Sequence, residues 1–231
     1  MYLCSYKTVV VVTLSEENYL KAIYHLSNHG SKAVSTNDIA YKIDTKASSV
    51  TDMIKKLADK DLVSYVKYQG ANLTKQGRLT AVSVIRKHRL WEVFLVNNLN
   101  FSWDEVHDVA EQLEHIKSEK LINELETFLE FPTHDPHGDP IPDRDGNIIT
   151  LDKVPLSSLK ENQRSKLLGV KDSSDEFLRY LNKRKISIGD TIEVLNIEPY
   201  DKSIQIRINS NEMVMSDNVA ENLYVKSVKW I

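Results

Sequence analysis

The stretch VHDVAEQLEH, Val106 to His115, brings His107, Glu111, Glu114 and His115 close together. Read as one helix, those four share a stripe while Val106, Val109, Ala110 and Leu113 point elsewhere. Imidazole nitrogens and carboxylate oxygens on one face are donors for a divalent cation. His88 and Glu92, four apart in RKHRLWEVF, extend the pattern onto the preceding helix. The competing reading is a set of surface salt bridges to Arg86, Lys87 and Arg89. It suits any one of these residues better than it suits all of them on two consecutive helices. His134, Asp135, His137 and Asp139 in FPTHDPHGDPIPDRDGN offer similar donors, but the prolines there favour an ordered turn with solvated polar residues. A catalytic alternative, a carboxylate metalloenzyme built on helices, needs Glu-x-x-His. Gln112 stands where that glutamate belongs and no second copy follows, so the chemistry expected is ion binding without catalysis.

A second constellation is basic. In KASSVTDMIKKLADK, Lys46, Ser48, Ser49 and Thr51 open a helix, and Lys55, Lys56 and Lys60 line its exposed side. Small hydroxyl side chains reach base edges and phosphates, and lysines neutralise the DNA backbone. The plainer reading of Ser48 and Ser49 is helix capping. Lys67, Tyr68 and Lys75 follow on a hairpin and favour DNA binding. The net charge of −3 conceals a division: residues 31–90 carry 12 Lys and Arg against 5 Asp and Glu, and residues 91–130 carry 2 against 10. A basic module beside an acidic one fits contact with phosphate by one and with cations by the other.

The elements that position these residues are legible from periodicity. LSEENYLKAIYHLS reads as a helix behind Ser15, SKAVSTNDIAYKID as a second capped by Ser35 or Thr36, and the Ser48 or Ser49 segment as a third. LVSYVKYQGANLTKQGRLT alternates around Gln69-Gly70 as a hairpin, which completes a winged helix. Thr74 caps a long helix through Leu99, and Phe101 to Glu130 reads as one more long helical stretch. Strands at ISIGDTIEVLNI, KSIQIRIN and NEMVMS, with turns at Gly189-Asp190 and Pro199-Tyr200, suggest a small SH3-like barrel. The fold class expected is mainly α with a small β portion. Its parts are a winged helix-turn-helix over 14–80, a helical metal-binding domain over 81–142, a linker and short helix over 143–184, and an SH3-like β-barrel over 185–231. Cys4 is the only cysteine, which excludes a disulfide framework, and no apolar run approaches the ~20 residues of a membrane span. A cytoplasmic protein without membrane contact is expected. The opening MYLCSYKTVVVV is read as a frayed or added strand, or as an extension from a misassigned start.

SEENYLKAIY, SSVTDMIKKLADKDLV, NLTKQGR, RKHRLWEVFL and VHDVAEQLEH together resemble the metal-dependent repressors of the diphtheria toxin repressor and manganese transport regulator family, over Leu14 to about Pro142. The last ~45 residues look like the SH3-like domain of its longer members. The resemblance implies a homodimer that binds double-stranded operator DNA when Mn(II) or Fe(II) is bound, and so represses metal uptake genes. By position it places primary metal ligands at Asn18, Glu111, Glu114 and His115, and an ancillary site at His88, Glu92 and His107. DNA contacts then fall to Lys46, Ser48, Ser49, Thr51, Lys55 and Lys67. Asn18 stands where members of the family have methionine or aspartate, and Lys21 where the short manganese regulators have glutamate. LLGVKDSS lacks the Glu and Gln that complete the ancillary site in iron-type members. An oxygen-rich primary set favours Mn(II) over Fe(II) as the activating ion. A winged-helix regulator with structural carboxylates and a sensing barrel is the remaining alternative.

Overall fold

The computed structural model describes residues 11–66 and 69–227. The strand read into MYLCSYKTVVVV lies outside the described residues except for Val11 and Val12, which belong to no strand; Lys67 and Tyr68 lie outside them too. The chain forms two units. One runs to Lys87 and takes in Glu114–Ile116 and Arg144–Gly146; the other holds His88–Leu113, Lys117–Asp143 and the residues from Asn147 onward. Among the described residues no helix is long and apolar enough to cross a membrane.

The first unit is the expected winged helix. It contains α1 (Leu14–Leu26), α2 (Thr36–Lys42), α3 (Ala47–Asp59), β1 (Val63–Val66), β2 (Gly70–Leu73) and the first half of α4 (Lys75–Leu99). The cap of α1 is Thr13 and not Ser15: its hydroxyl accepts from the Glu16 amide at 3.3 Å, and the Glu16 carboxylate accepts from the Thr13 amide at 2.8 Å. This reciprocal pair satisfies two amides that a helix start leaves open. Ser35 caps α2. Leu20, Ile23, Ile39, Val50, Ile54, Leu57 and Leu62 are completely buried between the three helices and the wing, which is the payoff of their helical spacing. Val63 pairs with Leu73 and Val66 with Gly70, and Val34 bridges to Ala71. Gly70 has φ +99, and a Cβ there would lie 2.5 Å from the Val34 carbonyl oxygen, so this crossing requires glycine. The Thr74 hydroxyl accepts from the Gly77 amide at 3.0 Å and opens α4.

In the second unit the long helix expected over Phe101 to Glu130 is two, α5 (Val106–Leu113) and α6 (Glu119–Phe128). Ser118 caps α6 by accepting from the Leu121 amide, so α6 begins afresh, and Glu114 and His115 fall in the turn beyond α5. They are therefore not on one helical stripe with His107 and Glu111. A six-stranded antiparallel sheet follows, in the order β3 (Lys153–Pro155), β8 (Leu223–Lys226), β4 (Arg164–Val170), β5 (Thr191–Ile197), β6 (Ile204–Ile208) and β7 (Asn211–Met215). α7 (Asp175–Lys183) and α8 (Asp217–Glu221) complete it. The sheet thus starts at Lys153, inside the segment read as linker and short helix, and the LLGV of LLGVKDSS ends strand β4. Among the described residues no pairing joins edge strands β3 and β7, so the SH3-like domain is not closed by hydrogen bonds. Ile204, Ile206 and Ile208 alternate into its core with Leu167, Val194 and Val225.

The proline-rich loop is folded onto this sheet. The Val170 amide donates to the His137 carbonyl at 3.0 Å. A Cβ on Gly138 (φ +85) would lie 2.0 Å from the Leu168 carbonyl oxygen, and one on Gly169 would lie 2.9 Å from the His137 carbonyl oxygen. Two glycines let the loop and β4 touch backbone to backbone.

Candidate metal centres and nucleic-acid interface

In the first unit, α1 presents Glu17 and Lys21 to the segment Glu114–Ile116. His115 Nδ1 lies 2.6 Å from Glu17 Oε2, and His115 Nε2 lies 3.7 Å from Glu114 Oε1. Lys21 donates to both oxygens of Glu114, at 2.8 and 2.7 Å, and Glu114 has no exposed side-chain surface. Asn18 Oδ1 is buried and has no hydrogen-bond partner. An orphaned acceptor is costly unless a cation or other donor meets it, and its chain neighbour Glu17 carries the carboxylate that meets His115. Glu114 and His115 are thus brought to α1 in this unit, and Asn18 lies on the same helix. Glu17, given no role in the sequence reading, is the carboxylate that meets His115; its only signal was its place next to Asn18. Glu111 belongs to the second unit, where its carboxylate lies 3.7 Å from His107 Nε2.

The second unit gathers its own centre around Glu92. Glu92 Oε1 is 3.0 Å from His88 Nε2, 3.5 Å from His107 Nδ1 and 3.8 Å from His137 Nδ1. His88, Glu92 and His107 are therefore brought together as expected, α4 supplying the first two at helical spacing and α5 the third. His137, with Asp135, comes from the proline-rich loop. Both are buried, so the expectation of solvated residues there is overturned. Prolines forbid regular elements, yet the loop satisfies itself through Asp135 N to Asp139 O, Gly138 N to Asp135 O and Ile141 N to Thr133 O. Asp135 Oδ1 accepts from the His137 and Asp139 amides, both at 2.9 Å. Arg89 pairs with Asp135 at 3.3 Å and with Asp139 at 3.2 Å, so its guanidinium anchors the loop to α4. The signal available in the sequence was the density of His and Asp around Gly138.

Glu92, Asp135 and His137 are close enough to hold one ion, as are His88, Glu92 and His107. Burial disfavours the Glu92 carboxylate, but hydrogen bonds with His107, His137 and His88 outweigh it and hold its pKa well below the ordinary value. Burial also works against a charged His137, yet the Glu92 carboxylate raises its pKa to about 9. Burial, helped by the charges of Glu92 and Asp139, pushes Asp135 up. His137 Nε2 lies 2.7 Å from the Trp103 carbonyl oxygen and donates to it, leaving Nδ1 for the centre. An imidazole oriented by a carbonyl on its far side is the usual arrangement of a metal ligand.

On α3, Lys46 is the cap position without a side-chain cap, and Ser48 and Ser49 are exposed in the first turn. Neither serine caps the helix. Thr51 is half-buried and donates to the Ala47 carbonyl at 2.9 Å, while Lys55 is exposed beside Asp52 at 3.5 Å. Lys60 is not free on the exposed side. It reaches Glu16 and the Val11 carbonyl and ties α3 to the start of α1.

Three family models match in succession: the iron dependent repressor N-terminal DNA binding domain at 12–71, the iron dependent repressor metal binding and dimerisation domain at 74–143, and the FeoA domain at 154–227. The iron-dependent repressor IdeR of Mycobacterium tuberculosis is 32% identical over 154 residues, which span 62% of this chain and 66% of that relative. The diphtheria toxin repressor of Corynebacterium efficiens is 25% identical over 222 residues, 92% of this chain and 95% of its own. Among solved structures, a manganese-dependent transcriptional repressor in complex with manganese has 34% identity and a TM-score of 0.80, covering 92% of this chain and 100% of that one. The manganese regulator SloR follows at 34% identity and a TM-score of 0.69, covering 92% and 98%. The three family models follow one another over 12–227, and the chain covers the whole of the manganese-dependent repressor at 34% identity; the chain belongs to the diphtheria toxin repressor family of metal-dependent, DNA-binding transcriptional repressors, which are not enzymes.

Proposed function

We propose that this repressor is activated by Mn(II), binds a double-stranded operator as a homodimer and controls metal-ion uptake genes. The observation that carries the choice of ion is the donor set of the first unit. Asn18, Glu17, Glu114 and His115 offer oxygens and one imidazole, with no thiolate or thioether among them. Such a set suits Mn(II) better than softer ions. Bound there, the cation would supply positive charge and a cross-link between α1 and a segment about a hundred residues along the chain. Asn18 gains a partner for its orphaned oxygen, and α1 is fixed against Glu114–Ile116. The winged helix is thereby restrained in one conformation, which DNA then selects. In the second unit Glu92 and His88 would hold an ancillary ion with His107, His137 and Asp135.

Lys46, Ser48, Ser49, Thr51 and Lys55 are the proposed DNA contacts within the described residues, and Lys67 on the wing is a further one. Fe(II) activation is the second reading, supported by the similarity to IdeR. Anaerobic titration with Mn(II) and with Fe(II), read by operator binding, separates them. Affinity does not decide, because the Irving–Williams order favours Fe(II) over Mn(II) at almost any site. Activation at micromolar Mn(II) is expected; full activation by Fe(II) with Mn(II) inert would replace manganese by iron.

A further inference from the structure

In the first unit Lys21 and Glu114 stand 93 residues apart in sequence, yet the ammonium contacts both carboxylate oxygens, at 2.8 and 2.7 Å. Glu114 is fully enclosed and Lys21 nearly so. A carboxylate buried this completely needs a cation, since an uncompensated buried charge is strongly destabilising. The ammonium occupies both oxygens of the carboxylate, and one of them, Oε1, also lies 3.7 Å from His115 Nε2. Within the first unit Glu17 and Glu114 both approach His115, and Lys21 neutralises Glu114.

We propose that Lys21 is the resident cation of this centre: it holds Glu114 in the metal-free protein and competes with the divalent ion for that carboxylate. The proposal rests on the metalloregulator reading. Two consequences follow from the geometry. Before metal arrives Lys21 gives the segment Glu114–Ile116 one tether to α1, through Glu114 alone, which a cation would replace with ties through His115 and Glu17 as well. It also sets the threshold concentration, because each ion bound must displace an ion pair already made. A lysine suits this task better than arginine, being a compact point charge on a flexible stem that can swing away.

The test uses the full chain and Mn(II) chloride, with free Mn(II) followed by electron paramagnetic resonance and unfolding followed by thermal melts. Lys21→Met should bind Mn(II) about tenfold more tightly or better than the wild type. Its metal-free midpoint should fall, and saturating Mn(II) should raise it by more degrees than in the wild type. Lys21→Arg keeps the charge and presents two donors to the carboxylate, so it should bind Mn(II) no more tightly than the wild type, and it decides the matter if Lys21→Met aggregates. Equal or weaker Mn(II) binding by Lys21→Met, or tighter binding by Lys21→Arg, overturns the role of Lys21 alone. A wild-type chain that takes up no Mn(II) overturns the metalloregulator reading itself.

Discussion

His137 donates its Nε2 proton to the Trp103 carbonyl oxygen at 2.7 Å and so turns Nδ1 toward Glu92, 3.8 Å away. The indole of Trp103 stacks on the same imidazole, with the rings 11° from parallel. An imidazole held at both nitrogens and on one face loses little freedom when it ligates a cation. His137→Ala should therefore weaken Mn(II) binding at the second-unit centre about 10- to 100-fold, the size of effect seen when an oriented ligand shell is disturbed. Calorimetric titration should show this weak class while the first-unit class persists. Two unaltered binding classes would remove His137 from the centre.

The same pair of groups governs pH dependence in metal-free buffer. His137 has its pKa raised to about 9 in the fold, against an ordinary 6.5. Its contribution is fully present below about 6.5 and lost as pH rises through 9, with an upper bound of about 3 kcal/mol at 1.36 kcal/mol per unit. Glu92 has a lowered pKa, so its contribution is present above about 4.5 and lost in acid. The two describe one interaction and are counted once. Urea denaturation should show stability falling between pH 6.5 and 9, and His137→Ala should flatten that limb. An alkaline limb as steep in the variant as in the parent would place its origin elsewhere.

Ser48 and Ser49 do not cap α3, so their removal should cost the fold little. Ser48→Ala and Ser49→Ala are expected to lower the ratio of operator to random-DNA affinity several-fold, on the order of 1 kcal/mol. Lys46→Ala should weaken both duplexes alike and reduce the salt slope by about 1. Competition binding at several salt concentrations checks both. An unchanged ratio in the serine variants would give base reading to other side chains.

Gly138→Ala tests whether the loop positions His137. The new Cβ would meet the Leu168 carbonyl oxygen at 2.0 Å, at φ +85. A loss of about 3 kcal/mol is expected, from left-handed backbone strain together with a contact that backbone cannot yield. The second-unit centre should lose metal affinity with it, whereas the winged helix should keep its melting behaviour. A variant as stable as the parent would show that the loop can be held elsewhere.

Where apolar residues recur at helical spacing, the sequence was readable almost to the residue: α4 begins after Thr74 and ends at Leu99 as its pattern predicts. Boundaries without glycine or proline were not. The break between α5 and α6 is marked locally by the Ser118 cap, but Glu114 and His115 in the turn before it pair with α1, contacts between residues far apart in the chain. Strands β3 and β8 are too short to show alternation, and β4 shifts register between Leu167 and Gly169, which blurs its period. The candidate donors on helices stood out because their spacing is periodic. Asp135 and His137 were noted as donors but read as solvated, because a loop has no period and its burial is decided by the strand it crosses. Glu17 escaped for a related reason: two adjacent polar residues, Glu17 and Asn18, compete for one direction, and tertiary contact alone selects between them.

The loop that carries His137 is secured through its main chain, by the His137 carbonyl on Val170 and by the glycine crossing at Gly138 and Gly169. Its imidazole is thus a replaceable part on a fixed mount. A donor borne on a helix can change only if the neighbouring turns still pack, while a donor borne here can change without touching them. Single substitutions at position 137 would therefore change the donor offered to the proposed centre while leaving the main-chain path of the loop as it is.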